Sequence, residues 1–213
     1  MKLSSPIIAI DGPAASGKST VAKRIAAELG ITFVSSGAMY RAFTWWVLEK
    51  DVDPSEAAAV VKLLDETQFE CGEENAAGTI AIDGRRITGD QMSEERVNQN
   101  VSLIARIPEV RTRLVDEQRR YADESGVVME GRDIGSVVFP DTPWKFYIDA
   151  SPEVREQRRR AQGIVDSIAK RDKIDSSRKN SPLVIPEGAI VVDSSDLTAD
   201  EVVERVLAVL REG

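Results

Sequence analysis

Short apolar runs alternate along the chain with stretches whose apolar residues recur at helical spacing. Pro6-Ile7-Ile8-Ala9-Ile10 is a continuous apolar run closed by Asp11-Gly12-Pro13, the pattern of a strand buried on both faces of a parallel sheet. Val21, Ile25, Ala26 and Leu29 then share one helical face up to Gly30, a helix terminator. Thr32-Phe33-Val34, Val127-Val128-Met129, Lys145-Phe146-Tyr147-Ile148 and Ala189-Ile190-Val191-Val192 read as four further strands separated by helical stretches. This predicts an α/β fold with a five-stranded parallel sheet flanked by helices.

The middle of the chain breaks the rhythm. Between about Thr67 and Thr88, Thr79-Ile80-Ala81-Ile82 and Arg86-Ile87-Thr88 flank Asp83-Gly84, a type I′ hairpin signal, which predicts a small β insertion between helices. Helices are expected over about Ser93 to Ala105 and Pro108 to Ala122, with Pro108 suited to a first turn. Thr198-Ala199-Asp200-Glu201 is a capping box opening a last amphipathic helix that carries Val202, Val203, Val206, Leu207 and Leu210.

The 213 residues suffice for one main domain with a small insertion. Acids outnumber bases by 36 to 28, a net charge of −8, which argues against a non-specific nucleic-acid partner. With no His, Ser-His-Asp and Cys-His nucleophiles and His-ligated metals are excluded. The one cysteine, Cys71, forms no internal disulfide and reads as a strand residue rather than a reactive thiol. The longest apolar runs, Pro6 to Ile10 and Ala57 to Val61, are too short to span a bilayer, and no signal peptide is visible, so a cytoplasmic protein without a membrane partner is expected.

Chemistry first appears at Gly12-Pro13-Ala14-Ala15-Ser16-Gly17-Lys18-Ser19, a G-x-x-x-x-G-K-[ST] loop directly after a buried strand and before a helix. Such a loop turns backbone N–H groups onto a polyphosphate, brings a lysine to the β and γ phosphates and offers the Ser19 hydroxyl to Mg²⁺. Thr20 either touches the α phosphate or faces the helix. The pattern predicts a nucleoside triphosphate site without naming a reaction. An Asn-Lys-x-Asp guanine reader is absent, and the small size favours a kinase over a motor. Arginine outnumbers lysine by 19 to 9, which suits bidentate grip on several phosphates. From Arg132 to Arg178, seven arginines and three lysines face eight acids, a local balance of +2. Arg155, Arg158, Arg159 and Arg160 are either a solvated helix face or phosphate contacts.

Five motifs in order carry a family resemblance: Gly12 to Thr20, Ser36-Gly37-Ala38-Met39-Tyr40-Arg41, Glu130-Gly131-Arg132-Asp133-Ile134-Gly135, Val138-Phe139-Pro140, and Arg171-Asp172-x-x-Asp175-Ser176-x-Arg178-x-x-Ser181-Pro182-Leu183. From about Ile7 to Leu210 the chain resembles the bacterial cytidylate kinases. The resemblance implies a P-loop nucleoside monophosphate kinase fold and ATP-dependent phosphorylation of CMP and dCMP by a monomer, with ATP and Mg²⁺ as cofactors. It implies a core over about 1–35, 126–155 and 185–213, a monophosphate-binding region over about 36–125 and a lid over about 156–178. Matched by motif, Ser36, Ser102, Arg111 and Asp133 would read cytosine, Asp175 and Arg171 the sugar hydroxyls, and Arg41, Arg132 and Arg178 the CMP phosphate. Tyr40 is either a contact or packing, and Asp133 either reads the base or pairs with Arg132. Lys18, Arg132 and Arg178, with Arg155 and Arg159 swinging in from the lid helix, would serve the transfer. The loop Val192 to Asp196 either borders the adenine or caps the last helix.

Cytosine offers an exocyclic amine donor beside N3 and O2 acceptors, so a carboxylate with an arginine is its physical complement. A phosphate acceptor is already ionised near neutral pH, so no general base is required. One departure from the family stands out: after Arg160-Ala161-Gln162-Gly163 the chain passes almost at once to Ile164-Val165-Asp166, a lid shorter by roughly ten residues than the resemblance implies. The alternatives are a P-loop kinase for another small acceptor, with Asp11 as candidate base for a hydroxyl, and an ATP-dependent switch.

Overall fold

The structure, a computed structural model, describes residues 6–122, 126–161 and 183–212. Strands β1 (Ile7–Asp11), β2 (Thr32–Ser35), β3 (Phe69–Glu74), β4 (Ala77–Ile82), β5 (Arg85–Arg86), β6 (Val127–Gly131), β7 (Trp144–Asp149) and β8 (Ile190–Asp193) form one sheet in the order β3-β4-β2-β6-β1-β7-β8, with β5 on β4. The helices are α1 (Lys18–Leu29), α2 (Ser36–Glu49), α3 (Ala57–Glu66), α4 (Gly89–Ser93), α5 (Glu95–Ile104), α6 (Pro108–Arg120), α7 (Pro152–Ala161) and α8 (Ala199–Glu212). A π-helical turn, Ile134–Val138, follows β6.

The five expected strands are β2, β6, β1, β7 and β8, and all their pairings are parallel. Their unbroken apolar character follows from burial on both faces. Ile8 and Ile10 of β1 pack with Val21, Ile25, Val206 and Leu207 of α1 and α8, whereas Ala9 faces the opposite core with Phe43, Ile104 and Leu114 of α2, α5 and α6. Helix α1 stops at Gly30, whose φ of 64° lets its N–H reach the carbonyls of Ala26 and Ala27. The Thr198 capping box is formed, with Glu201 accepting the Thr198 N–H at 2.8 Å.

The β insertion differs from expectation. It contains two tight turns, Asn75-Ala76 (φ 53° and 57°) and Asp83-Gly84 (φ 49° and 73°), so β3, β4 and β5 form an antiparallel meander. The meander is not a separate flap: Phe33 N donates to Ala76 O at 2.9 Å, and β4 extends the main sheet beyond β2. Cys71 lies half-buried on β3, its thiol against the Glu117 carbonyl, and burial pushes it up to about 11, as suits a packing residue. Among the described residues, no helix is long and apolar enough to cross a membrane.

Candidate functional site

The carboxyl ends of β1, β2 and β6 open into one cavity of about 470 Å³. Its floor is the loop between β1 and α1. A Cβ on Gly12 would lie 2.1 Å from the Ile148 carbonyl oxygen, so the loop passes against β7 too closely for any side chain. Gly12→Ala is accordingly expected to destabilise the fold by about 3 kcal/mol or more, read as a lowered melting midpoint. Gly17, at φ 92°, turns the chain into α1. Ala14, Ala15, Gly17, Lys18, Ser19 and Thr20 line the cavity, and Pro13 and Ser16 lie in the same loop. Lys18 is 6% exposed, its ammonium 3.1 Å from the Pro13 carbonyl and 3.7 Å from the Glu130 carboxylate.

Asp11, the candidate hydroxyl base, does not face the cavity. Its two oxygens accept the backbone N–H groups of Ile134 and Gly135 at 2.8 and 2.7 Å. Burial raises its pKa from the ordinary 3.8 to about 6, against the pull of those two bonds. Its contribution to stability is present below 3.8 and is lost as pH rises through about 6, because ionising a buried carboxyl opposes folding.

In the lining of the same cavity Arg111 and Asp133 form a buried ion pair with side chains 5% and 7% exposed. Arg111 also donates to the Ala105 carbonyl at 3.2 Å and stands 5.3 Å over the Tyr40 ring, which ties it to α2. Its Nε is buried with no hydrogen-bond partner among the described residues, a donor that a ligand acceptor would satisfy. Ser36 opens α2 under Gly131, where a Cβ would come within 2.5 Å of the Ser36 hydroxyl. Ser102 lines the same cavity, and Arg41 reaches the Met92 carbonyl at 3.1 Å and Asn98 at 2.6 Å.

The arginines divide into two groups. Arg41, Arg132 and Arg159 line the cavity, with Arg132 donating to the Gly12 carbonyl at 2.9 Å. Arg155 and Arg158 lie behind the loop. Arg155 Nε donates to Ala150 O at 3.0 Å and its Nη1 to Ala14 O at 3.4 Å, so its guanidinium braces the loop instead of standing at the cavity wall. Arg158 joins the Ser16 and Ser194 carbonyls at 3.2 and 2.7 Å. Arg160 pairs with Glu156 at the surface. Arg171, Asp175 and Arg178, with the expected lid beyond Ala161, lie outside the described residues.

Two features escaped the motif reading. Glu130 lines the cavity, accepting from Ser35 at 2.5 Å and facing Lys18, because the parallel register sets β6 beside both β1 and β2. Ser194 bonds the Ser16 and Asp149 carbonyls at 3.0 and 2.8 Å, tying the loop after β8 to the back of the phosphate loop.

The sequence profile of the cytidylate kinase family matches residues 8–212. A cytidylate kinase of Caldanaerobacter subterraneus subsp. tengcongensis is 44% identical, over 96% of this chain and 94% of that protein. One of Streptomyces avermitilis is 40% identical, over 97% and 93%. An unliganded sugar kinase structure from Janibacter sp. HTCC2649 aligns with a TM-score of 0.50 at 18% identity, over 97% of this chain and 95% of that one, a likeness of fold alone. With its profile matched almost end to end and relatives this similar over nearly their whole length, the chain belongs to the cytidylate kinase family.

Proposed function

We propose that the chain transfers the γ-phosphoryl group of ATP to CMP and dCMP by direct in-line attack. The observation that carries this reading is one cavity lined both by a phosphate-binding loop and by a buried carboxylate–guanidinium pair. A triphosphate lies on the loop with Lys18 at its β and γ phosphates. The acceptor base lies against Asp133, which takes the exocyclic amine, and Arg111, which serves N3 and O2, with Ser36 and Ser102 at its edge. Uracil, with a carbonyl where cytosine has its amine, meets the Asp133 carboxylate with repulsion.

Arg41 and Arg132 hold the acceptor phosphate, joined by Arg178, and Arg171 with Asp175 holds the sugar. These last three roles rest on the motif match. The monophosphate-binding region spans about 36–125 and the lid about 156–178, between parts of the core. The attacking phosphate oxygen is already ionised, so positioning and charge neutralisation by Lys18, Arg132 and Arg159 supply the catalysis and no base is needed.

The site fits Mg²⁺. Ser19 lines the cavity next to Lys18, and its hydroxyl is an oxygen donor of the kind Mg²⁺ takes. Such a donor suits an ion that keeps its waters and binds chiefly to phosphates. When bound, Mg²⁺ neutralises charge on the β and γ phosphates.

The test is stoichiometry: with ATP, Mg²⁺ and CMP, one CDP is expected per ADP, and ADP formation without CMP is expected to be slower by about a hundredfold or more. ADP release at one rate with and without CMP would support the switch reading instead.

A further inference from the structure

Asp11 takes no part in the chemistry above, yet it is fully buried at the carboxyl end of β1, between β6 and β7. Its carboxylate pins the backbone of Ile134 and Gly135, and the next residue, Gly12, accepts from Arg132. Strand β1 is therefore fastened to the chain on both sides of Asp133, the partner of Arg111. A Cβ at position 135 would come within 3.2 Å of Asp11 Oδ2, so the carboxylate seats against a glycine.

We propose that Asp11 is a positioning residue for base selection: by holding the Ile134 and Gly135 amides, its carboxylate sets where Asp133 and Arg111 meet the base relative to the phosphate loop. The inference rests on the cytidine nucleotide reading and adds to it a residue that does not line the cavity. Two accepting oxygens are required. A carboxamide accepts at one end only and turns an N–H toward the other backbone N–H, and a protonated carboxyl has the same defect.

The carboxyl titrates near 6, raised first by burial and also by Asp133, and lowered by the two amides and by Lys18. Among the other charges nearby, Arg132 reaches the Gly12 carbonyl, and Lys145 of β7, whose Cδ lies beside Gly135, sends its ammonium to the carbonyls of Pro140 and Glu187. The pin holds above about pH 6 and is released as pH falls through it. The chain has no His, so no imidazole titrates in the same window.

Cytidine is the probe, because it carries the base without a phosphate that would itself titrate. Its affinity for the full chain is measured by calorimetry from about pH 8 to about pH 5, for the wild type and for Asp11→Asn. The wild-type affinity is expected to fall about tenfold, as a group titrating near 6 is mostly protonated at the lower limit. Asp11→Asn is expected to bind at pH 8 about as weakly as the wild type at pH 5, to lose the pH dependence, and to show a CMP-over-UMP ratio of kcat/KM lowered by about the same factor. A flat wild-type profile, which needs no variant to fold, or an Asn variant with undiminished selectivity overturns the role of Asp11. A wild type that phosphorylates UMP as well as CMP overturns the cytidine reading itself, and this proposal with it.

Discussion

Lys18→Met is expected to lower kcat for CDP formation by about 10²- to 10³-fold while CMP affinity changes less than about threefold. The ammonium is buried and already held at the loop by the Pro13 carbonyl and the Glu130 carboxylate, so its charge is in place before a triphosphate arrives. Such preorganised charge is worth more in a closed, water-poor site than the same charge in solvent. Methionine keeps the length and the aliphatic packing but leaves the buried Glu130 carboxylate with the Ser35 hydroxyl and without Lys18, so a lowered melting midpoint is expected beside the kinetic loss. Steady-state kinetics beside calorimetric CMP binding separate the two effects. A variant with kcat within about threefold of the wild type would remove Lys18 from the transfer step.

Asp133→Ala is expected to act on both stability and selectivity. It leaves the Arg111 guanidinium, 5% exposed, with the Ala105 carbonyl and no counter-charge among the described residues. Removing one partner of a buried pair costs about 3–5 kcal/mol, which for a chain of this length lowers the melting midpoint by roughly 10 °C. It also removes the acceptor for the cytosine amine, and the preference for CMP over UMP is expected to fall by about tenfold or more. CMP itself offers Arg111 two acceptors, so saturating CMP is expected to restore part of the lost thermal stability. A melting scan with and without CMP and a two-substrate competition measure these effects. Unchanged selectivity would reduce Asp133 to a structural partner of Arg111.

The parts of this molecule legible in the sequence are those governed by local rules. Ile7 to Ile10 read as a buried strand because both faces of β1 are covered, and Gly30 and Asp83-Gly84 read as a stop and a turn because they need positive φ. Asn75-Ala76 went unread: alanine at φ 57° lacks the glycine signal, and the turn is held by strands on either side. The phosphate loop was legible from its own spacing, whereas the cytosine-reading set was legible only through resemblance. Arg111 and Asp133 are 22 residues apart and meet because α6 and the turn after β6 pack together. The same limit explains Glu130, placed by strand register, and Arg158, whose partners in the loops around Ser16 and Ser194 are 142 and 36 residues away. Arg155, expected either on a solvated helix face or at the phosphates, holds the carbonyls at positions 14 and 150, contacts that spacing along one helix does not reveal.

The most direct test of the account is coupled ADP release with ATP and Mg²⁺, run in parallel on CMP, dCMP, UMP, AMP and shikimate. Fast turnover is expected with CMP and dCMP, and rates lower by about tenfold or more with the other three. Equal turnover with UMP, or turnover confined to AMP or shikimate, would contradict the account.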